Sequence, residues 1–81
     1  MQVQGKTVVV TGGGRGIGRE MAKAFAARGA NLALFDLNQA DLEAASVECR
    51  ALGVQARGYV ANVTQEAAVS AAMDAVVNDF G

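Results

Sequence analysis

The residues best suited to chemistry in this chain are Thr11-Gly12-Gly13-Gly14-Arg15-Gly16-Ile17-Gly18, with Asp36 further on. An apolar run, Thr7-Val8-Val9-Val10, precedes the glycines, and a helix-like pattern follows them. Strand, glycine turn and helix N-terminus in that order build an anion cradle. Backbone N–H groups come close to a phosphate there, and the helix end favours negative charge. The spacing is T-G-x-x-x-G-x-G, with Gly12, Gly16 and Gly18 in its fixed positions, one residue longer than the common G-x-G-x-x-G loop. Gly12 allows a tight turn off the strand, Gly16 lets the backbone approach a diphosphate, and Gly18 permits close helix–strand packing. Asp36 closes the next apolar run. A carboxylate there can accept hydrogen bonds from both hydroxyls of a ribose, each worth about 1.5–3 kcal/mol. The plainer reading of Asp36 is a solvated turn aspartate ahead of a helix cap at Asn38.

These residues need elements to hold them, and the pattern supplies β-α-β-α-β-α. Strands are expected over residues 7–11, 31–35 and, more weakly, 55–61, with Val54, Ala56, Gly58 and Val60 on alternate positions. A first helix is predicted from about Gly16 to Arg28, with Ile17, Met21, Ala24 and Phe25 as its apolar stripe and Gly29 as the residue that stops it. A second starts near Asn38 or Gln39, ends before Gly53 and turns Leu42, Ala45, Cys49 and Leu52 inward. In the third, Thr64 is a candidate cap, Val69, Ala72, Met73, Val76, Val77 and Phe80 recur at helical spacing, and Gly81 sits at the C-cap position. Strands alternating with helices imply an α/β fold with a parallel, doubly wound sheet and right-handed crossovers. The strand order is then 3-2-1, half of a Rossmann-type sheet, with Val8-Val9-Val10 covered on both faces once the sheet is complete. Arg19, Glu20, Lys23 and Arg28 read as a solvated face, Asp74 and Asp79 as the outer face of the last helix, and Met21 and Met73 as core fillers.

Composition narrows the classes. Eighty-one residues make at most one small domain, and 52% hydrophobic content argues against disorder. A net charge of −1 gives no electrostatic case for nucleic acid or a membrane surface. No apolar run is long enough to span a bilayer, and Met1-Gln2-Val3-Gln4-Gly5-Lys6 lacks a signal peptide's apolar core. One cysteine, Cys49, and no histidine exclude an internal disulfide and the usual metal sites, and point to a cytoplasmic location. Cys49 itself reads as a small core residue.

The segment from Thr11 to Gly18, Asp36 after the second strand and Asn62-Val63-Thr64 after the third resemble the short-chain dehydrogenases/reductases, most of all the 3-oxoacyl-[acyl-carrier-protein] reductases. The resemblance implies a dinucleotide cofactor. Its diphosphate would lie on Gly12, Arg15, Gly16, Ile17 and Gly18, its adenosine ribose on Asp36 and its adenine along Asn62 and Val63, with Gly14 and Leu37 among the cofactor-binding residues. The residue types agree with those roles. Asp36 would repel a 2′-phosphate and so favours NAD, whereas Arg15 could reach such a phosphate and keeps NADP open. Asn62 offers a carbonyl acceptor to the adenine amino group. A loop asparagine ahead of a helix cap is the plainer alternative.

By the same resemblance the whole protein would be a cytoplasmic oxidoreductase, a homo-oligomer of tetrameric type, passing hydride to or from a carbonyl or hydroxyl substrate such as a 3-oxoacyl thioester. The family's serine and Tyr-x-x-x-Lys pair have no counterpart in these residues: four positions after Tyr59 stands Val63, and no lysine follows. Residues 1–81 therefore read as the N-terminal, cofactor-binding part of one Rossmann domain, with no catalytic residue and no metal. A non-catalytic dinucleotide module is the alternative. An S-adenosylmethionine-binding methyltransferase loses ground because the longer loop with Arg15 suits a diphosphate. Alone, such a piece would leave Val8-Val9-Val10 as an apolar edge.

Overall fold

The structure is a computed structural model and describes residues 2–14 and 16–81. In chain order it forms β1 (Thr7–Thr11), α1 (Gly16–Ala27), β2 (Asn31–Asp36), α2 (Gln39–Arg50), β3 (Ala56–Val60) and α3 (Glu66–Phe80). The three strands are parallel in the order β1-β2-β3, with Thr7 opposite Asn31 and Leu32 opposite Ala56. This is the Rossmann-type α/β half sheet that the alternation of elements implies.

β2 is the axis of the packing. Its side chains alternate, so Leu32 and Leu34 enter one core with Ala22, Ala26, Leu42, Ala45 and Cys49, while Ala33 and Phe35 enter another with Ala61, Ala72 and Val76. α1 and α2 thus cover one face and α3 the other, and four consecutive residues of β2 are fully buried. Small residues on α1 let it lie close to the sheet. α2 starts at Asn38, whose Oδ1 accepts from Asp41 N–H at 3.0 Å, the expected cap. α1 ends at Gly29, where φ is +88°.

Several expectations fail for identifiable reasons. α1 does not bury Ile17, Met21 and Ala24. It buries Ala22 and Ala26, leaving Ile17 81% and Met21 48% exposed and Phe25 only partly covered. An alanine-rich helix has two faces apolar enough to pack, and periodicity alone does not choose between them. Leu52 lies beyond the end of α2 and is exposed, while Ser46, not expected inside, is buried. On β3, Ala56 is buried but Val60 is exposed. On α3, Ala72 and Val76 are buried while Met73 and Val77 are exposed. Thr64 is not the cap of α3, because Gln65 stands at that position without a side-chain hydrogen bond. β1 is no such failure: in this half sheet Val10 is buried and Val9 exposed, as expected of a strand whose sheet is not complete. The charged residues of α1 are not all simply solvated. Arg19 and Lys23 pair with Glu48 of α2, Lys23 at 3.2 Å, and so tie the two helices together.

Candidate functional site

The glycine turn begins where β1 stops. Gly12 has φ +67° and Gly16 has φ +64°, a region open to glycine and costly for other residues. A Cβ on either would meet nothing within 4 Å among the described residues, so these leave the space in front of the turn open. Gly13 N–H donates to the Phe35 carbonyl at 3.1 Å and stitches the turn to β2. Gly18 sits under the turn: a Cβ there would strike the Gly12 carbonyl oxygen, so only glycine lets α1 start so close to β1. No acidic side chain stands in the first turn of α1 to compete for an incoming anion. Arg15, to which a diphosphate or 2′-phosphate contact was assigned, lies outside the described residues.

Asp36, the last residue of β2, leans toward the turn. Its Oδ2 accepts from Gly14 N–H at 3.1 Å and its Oδ1 from Leu37 N–H at 2.7 Å. Across a small recess stands the end of β3. The recess, about 180 Å³, is lined by Gly12, Phe35, Asp36, Leu37, Ala61, Asn62, Val63 and Thr64. Whole-ligand pockets run to about 300–1,000 Å³, so this one takes one end of a longer molecule. It brings together Gly12, Asp36, Leu37, Asn62 and Val63. Gly14 joins through its bond to Asp36, whereas Gly16 and Ile17 stand outside the recess at the start of α1. The larger open cleft beside α1, about 810 Å³, is a weaker site because its Arg19, Lys23 and Glu48 are already paired with one another.

Asn62 is held by Thr64. Asn62 Oδ1 accepts from Thr64 N–H at 3.0 Å and from the Thr64 hydroxyl at 2.6 Å. Both lone pairs of that oxygen are therefore engaged, and a base edge in the recess would meet the side-chain amide N–H₂ or have to displace Thr64. The Asn-x-Thr order is the signal for this Asx turn. Phe35, which also lines the recess, was legible only as the last residue of the second expected strand. Tyr59 of β3 packs edge-on against Phe35, with ring centroids 5.6 Å apart, and its hydroxyl donates to Asp79 Oδ2 of α3 at 2.7 Å. Asp79 is thus not simply an outer-face residue. Burial, and then the bond to Asp79, push the Tyr59 phenol up to about 12. Burial also raises the Cys49 thiol, which fits a core residue rather than a nucleophile.

A glycine turn between a parallel strand and a helix, facing a carboxylate at the tip of the next strand, defines a Rossmann-type unit. The family pattern described as short chain dehydrogenase matches residues 6–81. The chain belongs to the short chain dehydrogenase family. It is 37% identical over 79 residues to 17-beta-hydroxysteroid dehydrogenase 13 of Homo sapiens, covering 98% of this chain and 26% of that protein. Against D-threitol dehydrogenase of Mycolicibacterium smegmatis it is 39% identical over 80 residues, covering 99% and 31%. Among solved structures it superposes on NAD+-bound xylitol dehydrogenase with a TM-score of 0.94 at 44% identity, covering 100% of this chain and 31% of that one. A short chain dehydrogenase/reductase from Burkholderia phymatum in complex with NAD gives 0.93 at 34%, covering 100% and 29%. The chain thus spans 26% and 31% of the two curated relatives' length. Three of these relatives are named as dehydrogenases of a hydroxysteroid, of D-threitol and of xylitol, which gives no specific support to a 3-oxoacyl-[acyl-carrier-protein] reductase.

Proposed function

We propose that this chain is the N-terminal, cofactor-binding part of a single Rossmann domain in a cytoplasmic oxidoreductase that exchanges hydride between a nicotinamide dinucleotide and a carbonyl or hydroxyl substrate. One observation carries the reading: Asp36, Asn62 and Val63, from the ends of β2 and β3, line one recess with the glycine turn at Gly12. The residues fit NAD. The open space before Gly12 and Gly16 and the uncompeted N-terminus of α1 suit a diphosphate. The Asp36 carboxylate suits a ribose diol, and the apolar sides of Leu37 and Val63 suit a flat base. The nicotinamide ring, when bound, supplies the hydride donor or acceptor. The residues described here bind and orient the adenosine end and the two phosphates.

The presence of a carboxylate and not a cation at position 36 supports NAD over NADP. The names of the relatives support hydroxyl-bearing substrates in general, and a 3-oxoacyl thioester is the narrower choice that the sequence resemblance supports. The same resemblance supports a homo-oligomeric, tetrameric whole protein. Asp36→Ala in the full-length protein tests the cofactor assignment by equilibrium binding of NADH and NADPH. NADH should weaken by roughly tenfold or more, the loss of a charge-assisted hydrogen bond. The discrimination against NADPH should shrink. An unchanged NADH/NADPH ratio would remove Asp36 from the site.

A further inference from the structure

We propose that Gly14 is a specificity-setting position: its lack of a side chain holds the Asp36 carboxylate in the orientation that receives a ribose, and enlarging residue 14 erodes the preference for a 2′-hydroxyl over a 2′-phosphate. The inference rests on the ribose-binding reading of Asp36. Both oxygens of that carboxylate are held by backbone amides. Gly14 N–H, 22 residues away in sequence, holds Oδ2, and Leu37 N–H holds Oδ1. The carboxylate therefore has a defined orientation before any ligand arrives. Each oxygen keeps a second lone pair for a hydroxyl, and the ordering cost of binding is lowered.

The space around Gly14 is filled. A Cβ there would lie 2.8 Å from Asp36 Oδ2, 3.3 Å from Asp36 Cγ and 3.0 Å from Asp41 Cβ. Carbon does not approach oxygen so closely, so a neighbour must move. Asp41 Cβ is fixed to the backbone of α2, whereas the Asp36 carboxylate is the free end of a side chain and swings away first. The backbone itself would accept alanine, because Gly14, unlike Gly12 and Gly16, is not among the glycines with positive φ. Gly14→Ala thus keeps the N–H; the Asp41 Cβ contact asks the turn to give by a few tenths of an ångström, while the closer clash falls on the carboxylate. The displaced carboxylate no longer receives the ribose diol and no longer stands against a 2′-phosphate.

The test measures NADH and NADPH dissociation constants by fluorescence for the full-length protein, Gly14→Ala, Asp36→Ala and the double variant. Gly14→Ala should weaken NADH roughly tenfold and NADPH far less. Because both changes act through one carboxylate, the double variant should show the same cofactor ratio as Asp36→Ala alone. Amide exchange gives a readout that does not depend on how the Gly14 variant folds: the Gly14 amide should exchange faster in Asp36→Ala than in the parent. A parent-like ratio in Gly14→Ala beside a shifted ratio in Asp36→Ala overturns this inference and leaves the ribose assignment standing. Equal weakening of both cofactors by Gly14→Ala, or Gly14 exchange indifferent to Asp36, overturns it as well. A ratio unmoved by Asp36→Ala removes the ribose assignment and this inference together.

Discussion

Gly18 and Gly14 show how different two glycines of one turn can be. A Cβ on Gly18 would strike the Gly12 carbonyl oxygen, which is backbone and has nowhere to go, so α1 itself would have to back away from β1. Gly18→Ala should therefore destabilise the fold by about 1–3 kcal/mol, the usual cost of overpacking. Urea denaturation reads this as a lower midpoint, and a parent-like midpoint would show that the helix start is not tightly seated. The roles of Gly12 and Gly18 were legible in the sequence because turn and close approach are local demands of the backbone. The bond between Gly14 and Asp36 was not, because it depends on where two segments 22 residues apart come to lie. Asn62 falls between these cases. Its place beside the recess followed from its position after the third strand, but the engagement of its oxygen by Thr64 reversed the hydrogen-bonding group it offers.

Among the elements, α3 is the one whose attachment bears most on the recess. Its buried contacts are few and small, Ala72 and Val76, and Phe80 packs only partly. The Tyr59–Asp79 bond adds a polar tie from α3 to β3, and the Tyr59 ring carries it on to Phe35, which lines the recess. Helical spacing placed Asp79 on the outer face, and the residue is exposed, but spacing could not show that the end of β3 brings a phenol to it. The raised Tyr59 pKa makes the tie sensitive to pH. The folded state holds the phenol proton to about 12 against an ordinary value of 10. Between those values the folded chain binds more protons than the unfolded one, so stability falls as pH rises. The stability advantage of the parent over Tyr59→Phe should be constant below pH 10 and shrink as pH rises from 10 toward 12. Paired thermal melts across that range check it, and an advantage independent of pH would mean that the bond does not hold in solution.

At the scale of the whole molecule the sheet is unbalanced. β2 is buried on both faces, yet among the described residues β1 pairs only with β2. Beside β1 runs an apolar groove of about 470 Å³ lined by Val8, Val9, Val10, Ile17, Met21 and Phe25. The sequence pointed to Val8-Val9-Val10 as covered on both faces only in a complete sheet and as an apolar edge without it, and the exposed Val9 fits the second condition. α3 packs over Ala33 and Phe35 of β2 and over Tyr59 of β3, and no residue of β1 belongs to that core. A free strand edge next to exposed Ile17 and Met21 is a template for pairing with another chain. The 81-residue chain produced alone should therefore self-associate in sedimentation experiments. Ile17 is 81% exposed, so Ile17→Lys removes apolar surface from the groove without entering the core, and it should shift the chain toward monomer. A parent chain that sediments as a monomer and melts cooperatively would show that three strands and three helices bury enough surface by themselves, and that the edge of β1 needs no cover.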